Sequence, residues 1–293
     1  MTATRRPFDP RFDFTAVGEF LTGLYLPGNR DGNWFSAAWE YAYTHPWFDE
    51  GSVSRIGIWE ADGRIVAVAT YELRLGEAFF HVRPGFEDLK PEMLDHAEAN
   101  FPKEDGTLHV FVPDFDSAFE ETVVARGYER LPPRDRPMSK LAIPEPFPPV
   151  PLAEGFRLTT LGEEFDLEKV HRVLHRGFDH PGEPPPEGLE AQRKMYSGPS
   201  YRPELTVVAV APDGGFVSYC GLWLDEVNRF AYVEPTATGP DYRRLGLGRA
   251  VVLDGIRRCG ERGATVAYVG TDMPFYLSLG FRKLFTVNCW TRS

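Results

Sequence analysis

The stretch "GPDYRRLGLGRAVV" (Gly239–Val252) sets two arginines and two closely spaced glycines between two runs of different character. Before it lies an apolar, strand-like run, "RFAYVEPTAT" (residues 229–238). After it, "LGLGRAVVLDGIRRCGERG" (residues 245–263) has helical spacing. Leu245, Val252, Ile256 and Cys259 recur at i, i+7, i+11 and i+14, with Asp254, Arg257, Arg258 and Glu261 on the other side. A strand, a glycine loop and a helix N-terminus in that order suit a phosphate. The first-turn amides have no partner in the helix, and the dipole adds about half a positive charge there. Gly246 and Gly248 carry no side chain to block an anion, and Arg243 and Arg244 add fork-shaped donors.

Outward from this stretch the elements fall into an order. "ELTVVAVAPDGGFVSYCGLWL" (204–224) forms two β-rich runs around Asp213-Gly214, a hairpin signal. After the helix come a strand ("ATVAYVG"), a short helix ending at Gly280 ("DMPFYLSLGF") and a last strand ("FTVNCW"). The first half repeats the order, with a hairpin turn at Asp62-Gly63, the strand "EAFFHV", the helix "DLKPEMLDHAEANF", the strand "TLHVFV" and a short helix ending at Gly127. Asp62 and Asp213 are 151 residues apart and Gly127 and Gly280 are 153 apart, so the chain reads as two copies of one α/β domain. Five prolines from Pro144 to Pro151 predict a stiff connector. The expected division is therefore 1–143, a linker at 144–155, and 156–293.

The 293 residues contain no apolar run of the ~18 residues that a membrane span needs, and no apolar segment follows the arginines of "MTATRRPFDP". Three widely spaced cysteines, Cys220, Cys259 and Cys289, argue against a disulfide framework or a thiolate metal site. A cytoplasmic protein without metal is the expectation. A net charge of −11 lacks the basic footprint of a nucleic-acid binder. Residues 1–143 hold 15 Lys and Arg against 24 Asp and Glu, the remainder 17 against 19. The acidity favours a cationic partner only weakly, and a solvated surface is the better account of it.

The glycine loop lacks the third glycine of a dinucleotide fingerprint and the G-K-[ST] of a nucleotide triphosphate loop. It does fit R/Q-x-x-G-x-G/A, with Arg243, Gly246 and Gly248 at the defining positions, "PDYRR" before it and "FYLSLGF" after it. In these features residues 156–293 resemble the GNAT superfamily of acetyl-CoA-dependent N-acyltransferases. The resemblance implies an α/β (α+β) chain of two tandem GNAT-type domains, each a mixed, mostly antiparallel twisted sheet flanked by helices and parted at its centre. It implies acetyl-CoA as co-substrate, its pyrophosphate on the segment Arg243, Arg244, Leu245, Gly246, Leu247, Gly248 and Arg249. The pantetheine would lie along the strand at Thr236 and Thr238. It implies direct transfer of an acetyl group to a primary amine of a small molecule or peptide. Tyr276 would be the acid for the departing thiolate, and Glu234 the base for the amine. Pro235 cannot donate to a ladder and predicts a bulge that re-aims Glu234. A non-catalytic acyl-CoA-binding scaffold, or a transferase of longer acyl or aminoacyl groups, are the alternatives. The acceptor and the oligomeric state are not legible.

Laid on the same template, the first copy keeps Pro84-Gly85-Phe86 against Pro240-Asp241-Tyr242. It then puts Glu87 at Arg243, Lys90 at Gly246, Glu92 at Gly248 and Val123 at Tyr276. Carboxylates there repel an anion, so the first copy is expected to keep the fold and lack coenzyme A binding. His171 and His175 have the i, i+4 spacing of a metal pair but no H-E-x-x-H glutamate, and read as solvated or capping residues. The resemblance implies that the proline-rich loop from Pro181 to Pro186, with the acidic Asp179, Glu183 and Glu187, borders the acceptor pocket and helps select the amine; an ordinary surface loop is the alternative. The aromatic run with Trp34, Trp39, Tyr41, Tyr43, Trp47 and Phe48 reads as the core face of an opening helix.

Overall fold

The computed structural model describes residues 2–292, which form two compact units. Unit 1 is Met1–Met138 with Leu284–Ser293, and unit 2 is Ser139–Lys283. The division differs from the linear one expected at 143 and 156. Each unit takes its last strand from the end of the other half of the sequence.

Unit 1 is built from β1 (Thr4–Pro7), α1 (Pro10–Leu24), α2 (Ser36–Thr44), β2 (Gly57–Ala61), β3 (Arg64–Thr70), β4 (Glu77–Val82), α3 (Lys90–Asn100), β5 (Leu108–Pro113), α4 (Ser117–Ala125) and β6 (Glu129–Arg130). The chain then runs through β7 (Arg136–Ala142) into unit 2. There follow β8 (Arg157–Thr160), α5 (Leu167–Gly177), α6 (Gly188–Lys194), β9 (Val207–Val210), β10 (Phe216–Asp225), β11 (Phe230–Thr238), α7 (Leu247–Glu261), β12 (Val266–Val269), α8 (Pro274–Ser278) and β13 (Arg282–Arg292).

Both units repeat one sheet plan. In unit 1, β1 to β4 pair antiparallel in sequence order, β4 pairs parallel with β5, and β5 pairs antiparallel with residues 287–292 of β13. In unit 2, β8 to β11 pair antiparallel, β11 pairs parallel with β12, and β12 pairs antiparallel with residues 139–142 of β7. The mixed, mostly antiparallel α/β architecture expected from the sequence is therefore the observed one.

Local chemistry explains the elements. Asp62 and Gly63 both have positive φ (51° and 72°), which a two-residue turn with the twist of a hairpin requires. Helix α5 starts where the Asp166 side chain accepts from the amide of Lys169 at 3.0 Å. Helix α1 starts at Pro10 behind an Asp9 cap and buries Val17, Phe20, Leu21 and Leu24. The aromatic run forms the second helix rather than the opening one. Trp39 is buried in it, whereas Trp47 lies beyond its end and is exposed.

One core of unit 2 lies between the sheet and α7–α8, with Val207, Cys220, Leu222, Val233, Val251 and Ile256. A second core lies beneath α5, with Val170, Leu174, Val208, Phe216 and Tyr219. Phe147 and Leu152, in the proline-rich stretch, pack against the first of these cores, so that stretch lies on unit 2. Two details of α7 differ from the sequence pattern. Leu245 precedes the helix and is exposed, and Leu247, Val251 and Ala250 take up the buried face. Asp254 is buried rather than solvated, because Arg257 and Arg258 close on its two oxygens at 2.7 and 2.8 Å.

Candidate active site

The centre of unit 2 is a parting between two parallel strands. Strand β11 pairs with β12 only at Phe230, Ala231 and Tyr232, and then runs on to Thr238. Gly239 donates its amide to Val217 O at 3.0 Å, while Thr238 stands opposite Ser218. The alternation of an antiparallel ladder then turns the backbone groups of Thr238 and Thr236 away from β10 and toward the parting.

Helix α7 begins at the mouth of the parting. Its first intrahelical bond runs from Ala250 N to Gly246 O (3.0 Å), so the amides of Leu247, Gly248 and Arg249 have no acceptor inside the helix. The two glycines serve different ends. Gly246 sits at φ 79° in open space, so its need is conformational. Gly248 is a matter of room: a Cβ there would stand 3.1 Å from Thr238 Oγ1 and 3.5 Å from Phe275. Arg244 also has positive φ (65°), which shapes the loop.

Arg243 is committed elsewhere. Its Nε donates to Thr238 O at 3.2 Å, and its Nη2 donates to Gly177 O at 3.1 Å and pairs with Asp179 at 2.8 Å. It ties the end of β11 to the C-terminus of α5. Arg249 reaches Ser278 O at 3.5 Å, and Arg244 and Leu245 are exposed.

The bulge expected at Pro235 is present. Cys220 stands opposite Thr236 and Leu222 opposite Val233, so Glu234 and Pro235 together face the single residue Gly221, and the Glu234-Pro235 peptide is cis. Only glycine fits at 221, where a Cβ would lie 2.6 Å from Glu234 O. Trp223 Nε1 donates to that same carbonyl at 3.0 Å.

Tyr276, on α8, is 9% exposed. Burial holds its phenol well above the ordinary range, the neighbouring Thr236 side chain works in the opposite direction, and the nearby Cys220 and Glu234 add to the rise. Half-buried Glu234 is thus close enough to be felt at the phenol. Thr236 Oγ1 also donates to Cys220 Sγ at 3.4 Å. Burial pushes the Cys220 thiol up to about 12, so it stays protonated at neutral pH. No site role fell to Cys220 or Ser218 in the sequence, which placed Asp179 with the acidic loop beside the acceptor rather than with Arg243. Ser218 Oγ lies 2.8 Å from Thr238 Oγ1, and none of the three carries a motif of its own.

His171 and His175 lie on exposed faces of α5, with Nε2 of each 3.2 Å from the carbonyls of Pro185 and Pro181. Among the described residues no group of three His, Cys, Asp or Glu is placed to hold a metal ion, and no helix is long and apolar enough to cross a membrane.

The corresponding place in unit 1 is built differently. Strand β4 pairs with β5 only at Glu77 and Ala78 and then continues to Val82, so a parting exists there too. Asn33 enters it: Val82 N donates to Asn33 Oδ1 at 3.1 Å, and Asn33 Nδ2 lies 3.5 Å from Val82 O. Gly32 lies so near the end of β5 that a Cβ would stand 2.6 Å from Pro113 Cγ. Trp34 packs on Phe79 and His81, with ring centroids at 4.7 and 5.1 Å. Glu92, at the start of α3, accepts from Trp59 Nε1 at 2.8 Å, and Lys90 pairs with Asp116.

Comparison with known proteins agrees with this geometry. Residues 167–281 match the acetyltransferase (GNAT) family. No curated protein sequence matches the chain. In fold, the chain is similar to a GCN5-related N-acetyltransferase from Sphaerobacter thermophilus, with 16% identity, a TM-score of 0.66 and coverage of 99% of this chain and 95% of that one. It is also similar to a tandem GNAT protein from the clavulanic acid biosynthesis pathway, with 16% identity, a TM-score of 0.65 and coverage of 99% and 98%. The N-myristoyltransferase of Saccharomyces cerevisiae, at 13% identity and a TM-score of 0.60, shares the fold over 99% of this chain and 78% of that one. At such identities these likenesses concern the fold alone. Residues 167–281 thus match the acetyltransferase (GNAT) family, and the chain has the fold of tandem GNAT proteins along its length.

Proposed function

We propose that unit 2 is an acetyl-CoA-dependent N-acetyltransferase that moves the acetyl group directly to a primary amine. The observation that carries the reading is the meeting of two things in one family domain. Loop and helix amides at Gly246–Arg249 form a cradle at the mouth of the parting, and Tyr276, Thr236 and Glu234 gather beside it.

The residues fit the co-substrate. The amides of Leu247, Gly248 and Arg249 take the pyrophosphate, with Arg244 and Leu245 shaping the approach, and the half-buried edge at Thr236 and Thr238 takes the pantetheine arm. Glu234 accepts the amine's surplus proton, and Tyr276 hands its own to the departing sulfur. A phenol raised by burial stays protonated through neutral pH, as an acid in this role requires. The buried, protonated Cys220 supports direct transfer rather than an acyl-cysteine. On this reading unit 1 has kept the fold and lost the site, since Asn33 covers Val82 and carboxylates stand in place of the cradle.

Calorimetric titration of acetyl-CoA into the whole chain tests the reading, followed by a screen of amines. One site per chain together with turnover of an amine is the expected result. Binding without turnover of any amine would leave an acyl-CoA-binding protein instead. A longer acyl-CoA turned over faster than acetyl-CoA would move the reading to the wider class of N-acyltransferases.

A further inference from the structure

Of the twelve large apolar side chains that stand exposed among the described residues, four gather around the mouth of the parting: Leu245, Met273, Phe275 and Leu277, each between 36% and 58% exposed. Helix α8 buries Tyr276 alone and turns Phe275 and Leu277 outward. It lies against the start of α7, since a Cβ at Gly248 would stand 3.5 Å from the Phe275 ring, and Arg249 Nη1 lies 3.5 Å from Ser278 O. A single exposed leucine needs no explanation, but a group of four at one opening marks a surface that something covers. The same rim is cationic. Residues 243–249 hold three arginines and no acid, and residues 271–283 hold Arg282 and Lys283 against Asp272. Lys283 pairs with Asp272 at 3.2 Å and Arg243 with Asp179, whereas Arg244, Arg249 and Arg282 are exposed and in no ion pair among the described residues. This local excess runs against the sign of the chain, whose net charge is −11.

We propose that this rim is a docking surface for an acidic protein that carries its acyl group on a phosphopantetheine arm, so that unit 2 takes its donor from such a carrier as well as from coenzyme A. The proposal rests on the reading of unit 2 as an N-acyltransferase. A carrier's arm is joined to its protein through one phosphate. The amides of Leu247, Gly248 and Arg249 take that phosphate as they would the pyrophosphate, which leaves the body of the carrier just outside the mouth. There its apolar residues cover the four exposed side chains, and its carboxylates meet Arg244, Arg249 and Arg282. The nucleotide of coenzyme A brings phosphates for the arginines, but its one flat base is too small to cover all four apolar side chains. The reaction balances in the same way with either donor. The amine nitrogen bonds to the acyl carbon as the carbon–sulfur bond breaks, the arm leaves as a thiol with the Tyr276 proton, and Glu234 takes the proton from nitrogen. Solvent then carries a proton from Glu234 back to Tyr276.

The test uses the whole chain, the amines screened with acetyl-CoA, and a small acidic acyl carrier protein bearing acetylphosphopantetheine. The carrier thioester should serve as donor with a kcat/KM at least equal to that of acetyl-CoA at low salt, and added salt should lower the carrier value more steeply. Leu277→Glu and Arg282→Glu each put a carboxylate on the rim. Each should lower kcat/KM for the carrier thioester by about tenfold and leave acetyl-CoA kinetics within about twofold of wild type. Calorimetry with the carrier lacking its arm gives a readout apart from turnover. That carrier should bind the wild-type chain, and should bind either variant about tenfold more weakly. Equal losses with both donors would make the rim a seat for the coenzyme A nucleotide and overturn the proposal. Self-association of the chain that Leu277→Glu abolishes would overturn it too, by making the rim a contact between copies. A carrier that neither binds nor donates, while acetyl-CoA is turned over, removes the carrier alone and keeps the transferase reading. Binding that the variants weaken, without turnover from either donor, keeps the surface and removes the transferase reading.

Discussion

Counted from Pro84 in unit 1 and Pro240 in unit 2, Val82 and Thr238 hold the same place in corresponding strands. Each has its backbone groups turned away from the hairpin partner and into a parting of the sheet. In unit 2 a glycine loop and a helix start at the mouth of that parting, and Tyr276 stands inside it. In unit 1 the Asn33 side chain pairs with both the N–H and the C=O of Val82, as a neighbouring strand would. The difference shows that a parted sheet has a demand for hydrogen bonds that a chain can meet in different ways. In unit 1 a loop side chain takes both groups of Val82, whereas in unit 2 Arg243 Nε takes the Thr238 carbonyl, and on the proposed function the remaining edge is left for the co-substrate.

Four changes would break or sharpen that contrast. The largest effect is expected from Gly248→Glu, which sets a carboxylate at the start of α7 and crowds Thr238. The charge clash should cost several kcal/mol of acyl-CoA binding, roughly a hundredfold or more in Kd by calorimetry, with circular dichroism unchanged. Next, Tyr276→Phe should lower kcat by about tenfold or more, toward the ~10²–10⁴ that general acids supply, while Kd for acetyl-CoA stays near wild type. An unchanged kcat would take the acid role from Tyr276.

In unit 1, Asn33→Ala leaves the Val82 backbone without its partner. Urea denaturation should show a loss of about 1–3 kcal/mol. Calorimetry should still count one acyl-CoA per chain, because Glu87 and Glu92 remain, and a second site would end the contrast.

The last effect is nil at neutral pH and appears only in acid. Trp34 N donates to His81 Nδ1 at 3.3 Å, and burial drops the His81 imidazole to about 3, so it stays neutral in the folded chain. Unfolded, the same imidazole binds a proton below about 6.5. The unfolded state therefore gains protons as pH falls from about 6.5 toward about 3, and stability falls over that window and is fully present above it. The slope from this one residue is about 1.4 kcal/mol per pH unit, and His81→Gln should remove it.

Much of this was legible in the sequence, for identifiable reasons. The Asp-Gly turns, the strand "EAFFHV" and the helix after Gly246 are local matters, decided by neighbours a few residues away. The arginine–glycine motif is local too, and it pointed to the family that residues 167–281 match. Other features depended on distant partners. The part Arg243 plays was not legible, because nothing near it in the sequence shows that Asp179 and Gly177 O would claim its guanidinium. Cys220 could not be placed beside Thr236 by counting, since the bulge shifts the register by one at that point. Asn33 sits 49 residues from Val82 in a loop with no pattern of its own.

By itself the sequence determined the order of elements, their repetition and the type of residue at the cradle, because propensity, turn chemistry and hydrophobic period act over short distances along the chain. The tertiary structure alone decided which half receives which last strand, which parting is filled and which partners claim Arg243. Those outcomes turn on hydrogen-bonding groups far apart in sequence, whose pairing exists only once the sheets have formed.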